Sequence, residues 1–267
     1  MENLTVIKIG GNIIDDETKL SGFLQEFASV GGKKILIHGG GKLATRLAIQ
    51  LNLPQQLVDG RRITDAETLK VITMVYAGYI NKNIVAQLQA LGANAIGISG
   101  VDGNAIKAHR RPLKTVNGET IDYGFVGDVD EINAGFLQTL LDSGMSVVIA
   151  PVTHDKEGQL LNTNADTIAQ EIAKSLSRYY NVSLIYSFEK PGVLLNADDD
   201  STLIPQLEMK YYKELKDTGA IFAGMIPKLD NAFEALSSGV EKVIIGKAEE
   251  LQGLLKGEKG TTISSGQ

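Results

Sequence analysis

The sequence lacks cysteine altogether and contains only three histidines in 267 residues. Without cysteine, the chain can form neither a disulfide framework nor a thiolate metal site. The histidines, His38, His109 and His154, are far apart and lack metal-ligand spacing, so no metal site is expected. His38 is expected only to pack against the glycine loop that follows it. No Ser-His-Asp or nucleophile-elbow pattern is present either.

Long apolar runs and clustered positive charge are also missing. No apolar run approaches the ~20 residues that span a bilayer, and Met1-Glu2-Asn3 lead straight into a strand pattern without a basic and apolar leader. We therefore expect a cytoplasmic protein with no membrane partner. The net charge is −6, from 26 basic and 32 acidic residues without a basic stripe, which disfavours a nucleic-acid partner. A small anion is not disfavoured, because a few buried lysines and helix N-termini can bind one.

The chain does contain a regular alternation of strand and helix patterns. Its length of 267 residues suits one large α/β domain or two closely packed lobes, and its composition, 43% hydrophobic and 22% charged, is ordinary for a soluble globular protein. Buried strands are predicted at 4–9, 34–37, 95–98, 147–149, 182–187 and 242–245. Helices are predicted at about 15–30, 42–51, 65–91, 165–178 and 222–238. Asp65 is a predicted N-cap, a polar hairpin is predicted near 104–127, and the nearest thing to a seam is the turn at Gly158. This alternation predicts a mainly parallel sheet covered on both faces.

Two glycine clusters follow predicted strands, at the sheet edge where open α/β folds bind ligands. Gly10-Gly11 ends the first strand, and Gly39-Gly40-Gly41 ends the second and opens a helix. Neither cluster fits a P-loop or a G-x-G-x-x-G motif, since Lys42 is followed by Leu43 and no glycine stands five residues before Gly41. A tight turn explains any single glycine. Three in a row at a helix N-terminus predict backbone contacts with phosphate or carboxylate oxygens.

Two lysines occupy positions that a bound anion would explain. Lys8 lies inside an apolar strand, where it either snorkels to the surface or faces an anion beside Gly10. Lys228 follows Pro227 at the predicted start of a helix, where the helix dipole favours anions over cations. An anion in front of Lys228 would remove that conflict.

Two further polar segments are candidates for ligand contact. The run Asn162-Thr163-Asn164-Ala165-Asp166 leads into a predicted helix. One of its side chains is expected to cap that helix, but three Asx residues exceed the needs of one cap, so a site role stays open. Arg61 and Arg62 follow Asp59-Gly60 and are either solvated or placed to clamp a carboxylate in a bidentate pair.

Five motifs follow one another along nearly the whole chain: Lys8-Ile9-Gly10-Gly11, His38-Gly39-Gly40-Gly41, Asp59-Gly60-Arg61-Arg62-Ile63-Thr64, Asn162-Thr163-Asn164-Ala165-Asp166 and Gly224-Met225-Ile226-Pro227-Lys228. In this order they resemble the amino acid kinase family, and the second, third and fifth together resemble its acetylglutamate branch. The resemblance implies a three-layer αβα sandwich with a mainly parallel central sheet, in a single domain of residues 1–267. Its N-terminal half, about 1–160, would bind the acylated amino acid, and its C-terminal half, about 161–267, would bind ATP.

The resemblance also implies a reaction, in which ATP phosphorylates the γ-carboxylate of N-acetylglutamate, or of a relative such as N-succinylglutamate, in arginine biosynthesis. Lys8 and Lys228 would stabilise the transferring phosphoryl group, and Asp166 would hold both lysines. Gly11 and Gly40 would donate backbone N–H groups to the phosphoryl oxygens. The acylated glutamate would be bound by Gly40, Gly41, Arg62, Asn162 and Asn164. ATP would be bound by Lys8, Gly10, Gly11, Ser187, Glu189, Gly192 and Lys228. Mg²⁺ would be carried by the phosphates, and no general base is required.

Two features depart from the family pattern. The family usually has a Ser/Thr-Asp-Val/Ile run before a glycine in the nucleotide half. This chain has Ser187-Phe188-Glu189-Lys190-Pro191-Gly192, with Glu189 at the place of the aspartate. The chain also starts at the first strand, without the N-terminal helix of the arginine-inhibited members. Neither arginine inhibition nor a hexamer is therefore expected.

A homodimer is predicted, mostly from the resemblance. The helix at 65–91 carries more apolar residues than one sheet face needs: Leu69, Ile72, Met74, Val75 and Ile80. Symmetric pairing of this helix with a second copy would cover them.

Other functions on the same fold stay open as alternatives: carbamate kinase, glutamate 5-kinase, aspartate kinase and a non-catalytic amino-acid or nucleotide sensor. The length leaves no room for the regulatory domains of many aspartate kinases, and Arg62 suits an α-carboxylate. A degenerate sensor would be expected to lose a charged residue, whereas Lys8, Asp166 and Lys228 are all present.

Overall fold

Eight strands form the central sheet in the computed structural model, which describes residues 1–58, 61–116, 119–221 and 225–264. The strands are β1 (Asn3–Ile9), β2 (Lys33–His38), β3 (Leu57–Val58), β4 (Arg61–Arg62), β5 (Ala95–Ser99), β6 (Ile106–Arg110), β7 (Lys114–Val116), β8 (Glu119–Ile121), β9 (Val126–Ile132), β10 (Ser146–Ala150), β11 (Val152–His154), β12 (Leu160–Thr163), β13 (Asn181–Phe188), β14 (Gln206–Glu208), β15 (Lys242–Lys247) and β16 (Thr261–Ser264). The strand order in the central sheet is β14-β16-β15-β13-β1-β2-β10-β5. Every neighbouring pair in it is parallel except β15 and β16.

Helices cover both faces of this sheet. They are α1 (Gly11–Ile14), α2 (Glu17–Ser29), α3 (Gly41–Gln50), α4 (Ala66–Thr73), α5 (Asn81–Ala90), α6 (Ala134–Asp142), α7 (Ala165–Leu176), α8 (Met209–Asp217), α9 (Ile226–Ser237) and α10 (Leu251–Lys256). One apolar core joins the sheet to α6, α7, α8 and α9. A second core joins the other face to α2, α3, α4, α5 and α10. The predicted three-layer αβα sandwich with a mainly parallel central sheet is confirmed.

The central strand β1 shows how the alternation of side chains builds these layers. Leu4 and Val6 are buried in the core with α7 and α9, and Ile7 and Ile9 are buried in the opposite core. Because side chains of a strand alternate between faces, Lys8 belongs to the face of Leu4 and Val6. The sheet therefore carries the Lys8 side chain towards α7 and α9.

The predicted helix at 65–91 exists but is not regular throughout. Asp65 caps it as predicted, since its side chain accepts a hydrogen bond from the backbone N–H of Thr68 at 2.7 Å. Between α4 and α5, however, residues Met74–Ile80 form a π-helix. This wider turn directs Tyr76 and Ile80 towards the loop after β2. Such π segments are often found beside functional sites.

A smaller unit beside the sheet was only partly predicted. The strands β6, β9, β11 and β12 close into a small barrel, with the Gly158 turn joining β11 to β12. The predicted polar hairpin is confirmed as the antiparallel pair β7 and β8. Helices α6, α8 and α10 and strands β14 and β16 were not predicted. The first residues of the predicted helix at 222–238 lie outside the described residues, and α9 begins at Ile226. Within the described ranges, no helix has the length and hydrophobicity needed to cross a bilayer.

A buried lysine ties α2 to the strand that follows it. Lys34, on β2, is only 6% exposed. Its ammonium donates hydrogen bonds to the backbone oxygens of Phe27 (2.8 Å), Ala28 (3.0 Å) and Val30 (2.7 Å). These carbonyls lie at the C-terminal end of α2, where helix oxygens lack intrahelical partners and the dipole favours a cation. Burial lowers the pKa of Lys34 from its ordinary value.

We expect Lys34→Met to lower the free energy of unfolding by about 2 kcal/mol, because buried carbonyl oxygens lose their donor. Urea unfolding followed by circular dichroism measures the change. Lys19→Met on the same helix is the control. Its side chain is 44% exposed and lies 3.5 Å from Glu249, so we expect a change below about 0.5 kcal/mol. Equal effects of the two substitutions would contradict the capping role of Lys34.

Candidate active site

A cleft of about 750 Å³ lies at the carboxyl ends of β1, β2 and β13, beside the small barrel. Open α/β sheets bind their ligands at this edge. The predicted site residues that line it are Gly10, Gly11, Gly40, Gly41, Arg62, Asn162, Asn164, Ser187, Glu189, Gly192 and Lys228. Beside it, Lys8 is buried and Asp166 is partly buried. The fold thus brings together predicted residues from both halves of the chain. In the motifs that predicted them, Asp59, Gly60 and Gly224 lie outside the described residues.

An ion pair joins two of the predicted residues. The Lys8 ammonium lies 2.8 Å from Asp166 Oδ1, and the two side chains are 10% and 19% exposed. Burial alone would raise the pKa of the Asp166 carboxyl, but the charges of Lys8 and Lys228 hold it below its ordinary value. Asp166 also lies in the first turn of α7, where the helix dipole favours a carboxylate. Asp166 is therefore ionised at neutral pH.

Lys228 completes this group from α9. Its ammonium lies 3.5 Å from the centroid of the Phe188 ring, and the Lys8 ammonium lies 5.3 Å from the same centroid. Burial lowers the pKa of Lys228, the charge of Lys8 lowers it further, and Asp166 opposes both. The site therefore holds two ammonium groups next to one carboxylate, an arrangement with spare positive charge for an anion.

The loop after β2 requires glycine at position 40. Gly40 has φ +148°, and a Cβ there would lie 2.3 Å from Ile80 Cδ1 and 3.1 Å from the Tyr76 ring. Gly40 is the N-cap of α3, whose first N–H groups have no intrahelical acceptor. The neighbouring Gly39 donates its N–H to the oxygen of Ile9 at 3.1 Å, which holds this loop against the end of β1. The two glycine clusters thus form one edge of the cleft.

His38 packs against the glycine loop, as predicted, and contacts the backbone oxygen of Gly39. It is fully buried, and burial lowers its pKa to about 4, so the imidazole is neutral. Nδ1 lies 2.8 Å from the oxygen of Gly39, and Nε2 lies 3.3 Å from the Asn81 amide nitrogen. Nδ1 must then carry the proton and donate to Gly39, while Nε2 accepts from Asn81. Asn81 was not predicted, because it comes from a helix distant in sequence.

Arg62 is held in place by three acceptors. One guanidinium nitrogen donates to Gln55, and the other donates to Thr45 Oγ1 at 2.6 Å and to the oxygen of Gly41 at 3.0 Å. These contacts leave little rotamer entropy to be lost when a ligand binds. Gln55 and Thr45 were not predicted, since only the fold brings them to Arg62. The structure does not describe the side chain of Arg61.

The two asparagines of the 162–166 run, Asn162 and Asn164, make different contacts. Asn164 is the helix cap: its Oδ1 accepts from the backbone N–H groups of Asp166 at 2.8 Å and Thr167 at 3.1 Å. Asn162 instead donates its amide to Thr64 Oγ1 at 3.0 Å, which leaves its Oδ1 available to a ligand N–H. One cap was predicted in this run, and Asn164 supplies it. Both residues also line the cleft.

The end of β13 lines the other part of the cleft. Ser187 Oγ is buried and has no hydrogen-bond partner among the described residues. Glu189 lies nearby in the loop that follows. At Gly192, a Cβ would lie 2.5 Å from Thr261 Oγ1 and 2.6 Å from Leu203 Cδ1, so packing alone accounts for this glycine.

Phe188 and Arg111 also line the cleft but were not predicted as site residues. Arg111 Nε lies 3.2 and 3.1 Å from the two carboxylate oxygens of Asp128, and its guanidinium stacks 5.6 Å from the Tyr123 ring centroid. Phe188 is the last residue of β13, two positions after Tyr186 on the same face. Its position beside Lys8 follows only once β1 and β13 are known to be neighbours.

Comparisons with known proteins show what this chain is similar to. The family profile described as the amino acid kinase family matches residues 3–247. Acetylglutamate kinase from Parabacteroides distasonis is 52% identical over 251 residues, covering 94% of this chain and 96% of that protein. Acetylglutamate kinase from Cytophaga hutchinsonii is 52% identical over 259 residues, 97% of each chain. The enzyme of that name from Methanopyrus kandleri is 39% identical over 260 residues, covering 97% of this chain and 100% of that protein.

Solved structures share the fold at lower identity. N-acetylglutamate synthase from Neisseria gonorrhoeae, complexed with coenzyme A and N-acetyl-glutamate, matches with a TM-score of 0.80 and 23% identity. The match covers 100% of this chain but only 60% of the synthase chain. Carbamate kinase from Giardia lamblia bound to AMP-PNP matches with a TM-score of 0.72 and 17% identity, covering 99% of each chain. At these identities the likeness shows the fold alone.

We expect Asp166→Asn to lower the free energy of unfolding at pH 7 by about 3 kcal/mol, because the buried Lys8 ammonium loses its paired carboxylate and the half-buried Lys228 loses a nearby negative charge. The folded-state pKa of Asp166 lies below its ordinary value, so this stabilisation is present at neutral pH and is lost as the pH falls through the folded value. Thermal and urea unfolding measure the change. Glu67→Gln, in an exposed pair with Lys70, is the control and should change stability by less than about 0.5 kcal/mol. If Asp166→Asn changed the free energy of unfolding as little as Glu67→Gln does, the Lys8–Asp166 pair would contribute no stability.

Proposed function

This chain belongs to the amino acid kinase family, and from that membership we infer that it transfers the γ-phosphoryl group of ATP to the γ-carboxylate of N-acetyl-L-glutamate, in arginine biosynthesis. The observation that carries this function is the similarity to acetylglutamate kinases over nearly the full length. The site supports it, because phosphoryl transfer depends on positioning and charge stabilisation rather than on covalent chemistry.

The catalytic groups in this proposal are the two lysines at the edge of the cleft. Lys8 and Lys228 stabilise the negative charge that spreads over the equatorial phosphoryl oxygens. Asp166 holds Lys8 by their 2.8 Å ion pair and attracts Lys228 from a greater distance. Backbone N–H groups of Gly11 and Gly40 donate to the same oxygens. The acceptor carboxylate is already ionised, so no general base is needed.

The acylated amino acid binds, in this proposal, between the glycine loop and the small barrel. Arg62 exchanges its present acceptors, such as Thr45 Oγ1, for the α-carboxylate and forms a bidentate pair with it, while Gly40 and Gly41 receive the γ-carboxylate. Asn162 Oδ1 accepts the amide N–H of the substrate, and the Asn164 amide group donates from the start of α7. The half of about 1–160 supplies most of these groups.

ATP binds in the half of about 161–267, at the end of β13. Lys8, Gly10, Gly11 and Lys228 contact its phosphates, while the adenosine lies near Ser187, Glu189 and Gly192. No group of three or more Asp, Glu, His or Cys side chains that could hold a metal ion occurs in the described ranges. Mg²⁺ enters on the phosphates of ATP.

We propose that the protein works as a cytoplasmic homodimer, and the observation that supports the dimer is the presence of exposed apolar side chains on the 65–91 segment. Most residues predicted for this interface are instead buried in the chain's own core: Leu69, Ile72, Val75 and Ile80. Among the predicted residues, Met74 is exposed, at 55%; Tyr79 of the same segment, at 64%, and Ile49 of helix α3, which contacts this segment, at 61%, are exposed as well. These three side chains form the proposed interface.

Light scattering at micromolar concentration should give twice the mass of the chain. We expect Tyr79→Glu to shift the protein towards monomer, because the symmetry of the interface places the new charge in it twice. Tyr179→Glu, at a site 49% exposed outside this surface, should leave the mass unchanged. A monomeric wild-type protein would exclude the dimer.

Removing either catalytic lysine should lower kcat by roughly 10²–10³-fold, as for the loss of one preorganised donor. Lys8→Ala and Lys228→Ala are compared with wild type by ADP release at saturating substrates. Lys70→Ala, an exposed lysine outside the cleft, should retain wild-type kcat. Wild-type turnover in a folded Lys8→Ala protein would refute the assignment.

We expect the enzyme to phosphorylate glutamate efficiently only when the α-amino group is acylated. Free glutamate would bring an ammonium group to Asn162, where the nearest carboxylate of that run, Asp166, is already paired with Lys8. Because a buried unpaired charge costs several kcal/mol, kcat/KM for free glutamate should be lower by about 10³-fold or more. ADP release with glutamate, N-acetylglutamate and N-succinylglutamate at equal concentration tests this. Comparable rates with free glutamate would favour glutamate 5-kinase, and a preference for succinyl would keep the mechanism and change the acyl group.

A further inference from the structure

The Phe188 side chain faces both catalytic lysines. Its ring lies 6.3 Å from that of Tyr186, with an interplanar angle of 11°, so two aromatic side chains line one face of β13. The Lys228 ammonium lies 3.5 Å from the Phe188 centroid, and that of Lys8 lies 5.3 Å away. Both distances are within the range in which a cation is attracted to an aromatic face. The ring therefore contributes to the electrostatics of the site.

The two lysines differ in their other contacts. Lys8 has an ion pair with Asp166 at 2.8 Å. In the part of the chain that the structure describes, Lys228 has no ion pair within 4.0 Å and no hydrogen bond, so the Phe188 ring is its closest electrostatic partner. A half-buried ammonium without such a partner would swing towards water or lose its proton.

We propose that Phe188 is a positioning residue for phosphoryl transfer, whose ring face holds the Lys228 ammonium beside the phosphoryl position while leaving its charge unpaired. This inference rests on the proposed kinase function. Phe188 directly precedes Glu189, the residue at which the chain departs from the usual Ser/Thr-Asp-Val/Ile run of the family.

An aromatic face suits this task better than an acidic side chain would. The ring quadrupole attracts an ammonium but adds no formal charge. A carboxylate at position 188 would neutralise Lys228, and the pair would have to separate before the lysine could bind a phosphoryl oxygen. A small hydroxyl would leave the apolar stem of the lysine without a packing surface. Phe188 fixes the direction of the side chain and preserves the charge.

The groups around Lys228 already change its pKa, so loss of the contact with the Phe188 ring should have a measurable effect. Asp166 on α7 and Lys8 on β1 act on its charge, and Glu189 and Lys190, in the loop after β13, line the same cleft. Burial and Lys8 already lower the pKa of Lys228, and Asp166 raises it. Removing the ring takes away a second group that favours the charged form. The pKa of Lys228 should then fall further, and a rate that requires the ammonium should decline at a lower pH.

The first experiment compares Phe188→Leu with Phe188→Tyr. Leucine keeps an apolar side chain without a ring, and tyrosine keeps the ring. We expect Phe188→Leu to lower kcat by about 10-fold, the scale of a partly buried cation–π contact, with the KM for N-acetylglutamate changed less than about twofold. The alkaline limb of kcat/KM, which reports the free enzyme, should move to lower pH. Phe188→Tyr should keep both properties close to wild type.

A double-mutant comparison separates positioning from packing. If the ring acts through Lys228, Phe188→Leu should cause no further loss of kcat in a Lys228→Ala background. Equal losses in both backgrounds would overturn the proposal. So would wild-type kcat and an unmoved alkaline limb in Phe188→Leu. If the leucine variant does not fold, stepwise fluorination of the Phe188 ring keeps the shape and weakens the quadrupole. The rate should then fall with each fluorine, and a constant rate would overturn the proposal.

A spectroscopic measurement tests the contact without any activity. After reductive ¹³C-methylation of lysines, the Lys228 signal is identified by its loss in Lys228→Arg. In the wild type the ring should shift this signal upfield, and the shift should disappear in Phe188→Leu. An unshifted wild-type signal would refute the contact. Absence of ADP release with every acylglutamate would refute the proposed function instead, whatever the spectrum shows.

Discussion

Lys8 and Lys228 lie on a strand and a helix that are more than 200 residues apart in sequence; the single carboxylate of Asp166 pairs with Lys8 at 2.8 Å and attracts Lys228 from a greater distance. Burying an ammonium is unfavourable unless a partner compensates for it. Here the compensation is incomplete, because one carboxylate serves two cations. In the proposed mechanism, the remaining positive charge stabilises the transferring phosphoryl group. Stability and function therefore pull in opposite directions at this point, and the surrounding core of β1, β13, α7 and α9 maintains the arrangement.

The parts of this structure that depend on local sequence could be predicted. Asp65 caps its helix through a contact three residues away, and the strands of the central sheet have continuous apolar runs. The glycine and polar clusters at strand ends were placed in the cleft because parallel strands carry their carboxyl ends to one edge. The glycine and polar clusters that line the cleft could thus be predicted without knowing the strand order.

The parts that depend on pairing between distant segments could not be predicted. Phe188 becomes part of the site only because β13 lies next to β1, and Asn81 reaches His38 only through the π-helical segment before α5. The apolar residues of 65–91 were predicted to face a second copy, but most of them pack inward. The sequence did not show how much of the surface of the 65–91 segment the sheet and α3 would cover.

The pairing of β1 with two strands distant from each other in sequence has a consequence for folding during synthesis. β1 pairs with β2 on one side and with β13 on the other, so its second partner is synthesised more than 170 residues later. At 5–20 residues per second, Asp166 leaves the ribosome roughly 10–30 s after Lys8. Until then β1 has an open edge and Lys8 has no counter-ion. The first half of the chain must wait for the second before the site can form. Because the two proposed binding halves share one continuous sheet, neither is expected to fold correctly when produced alone.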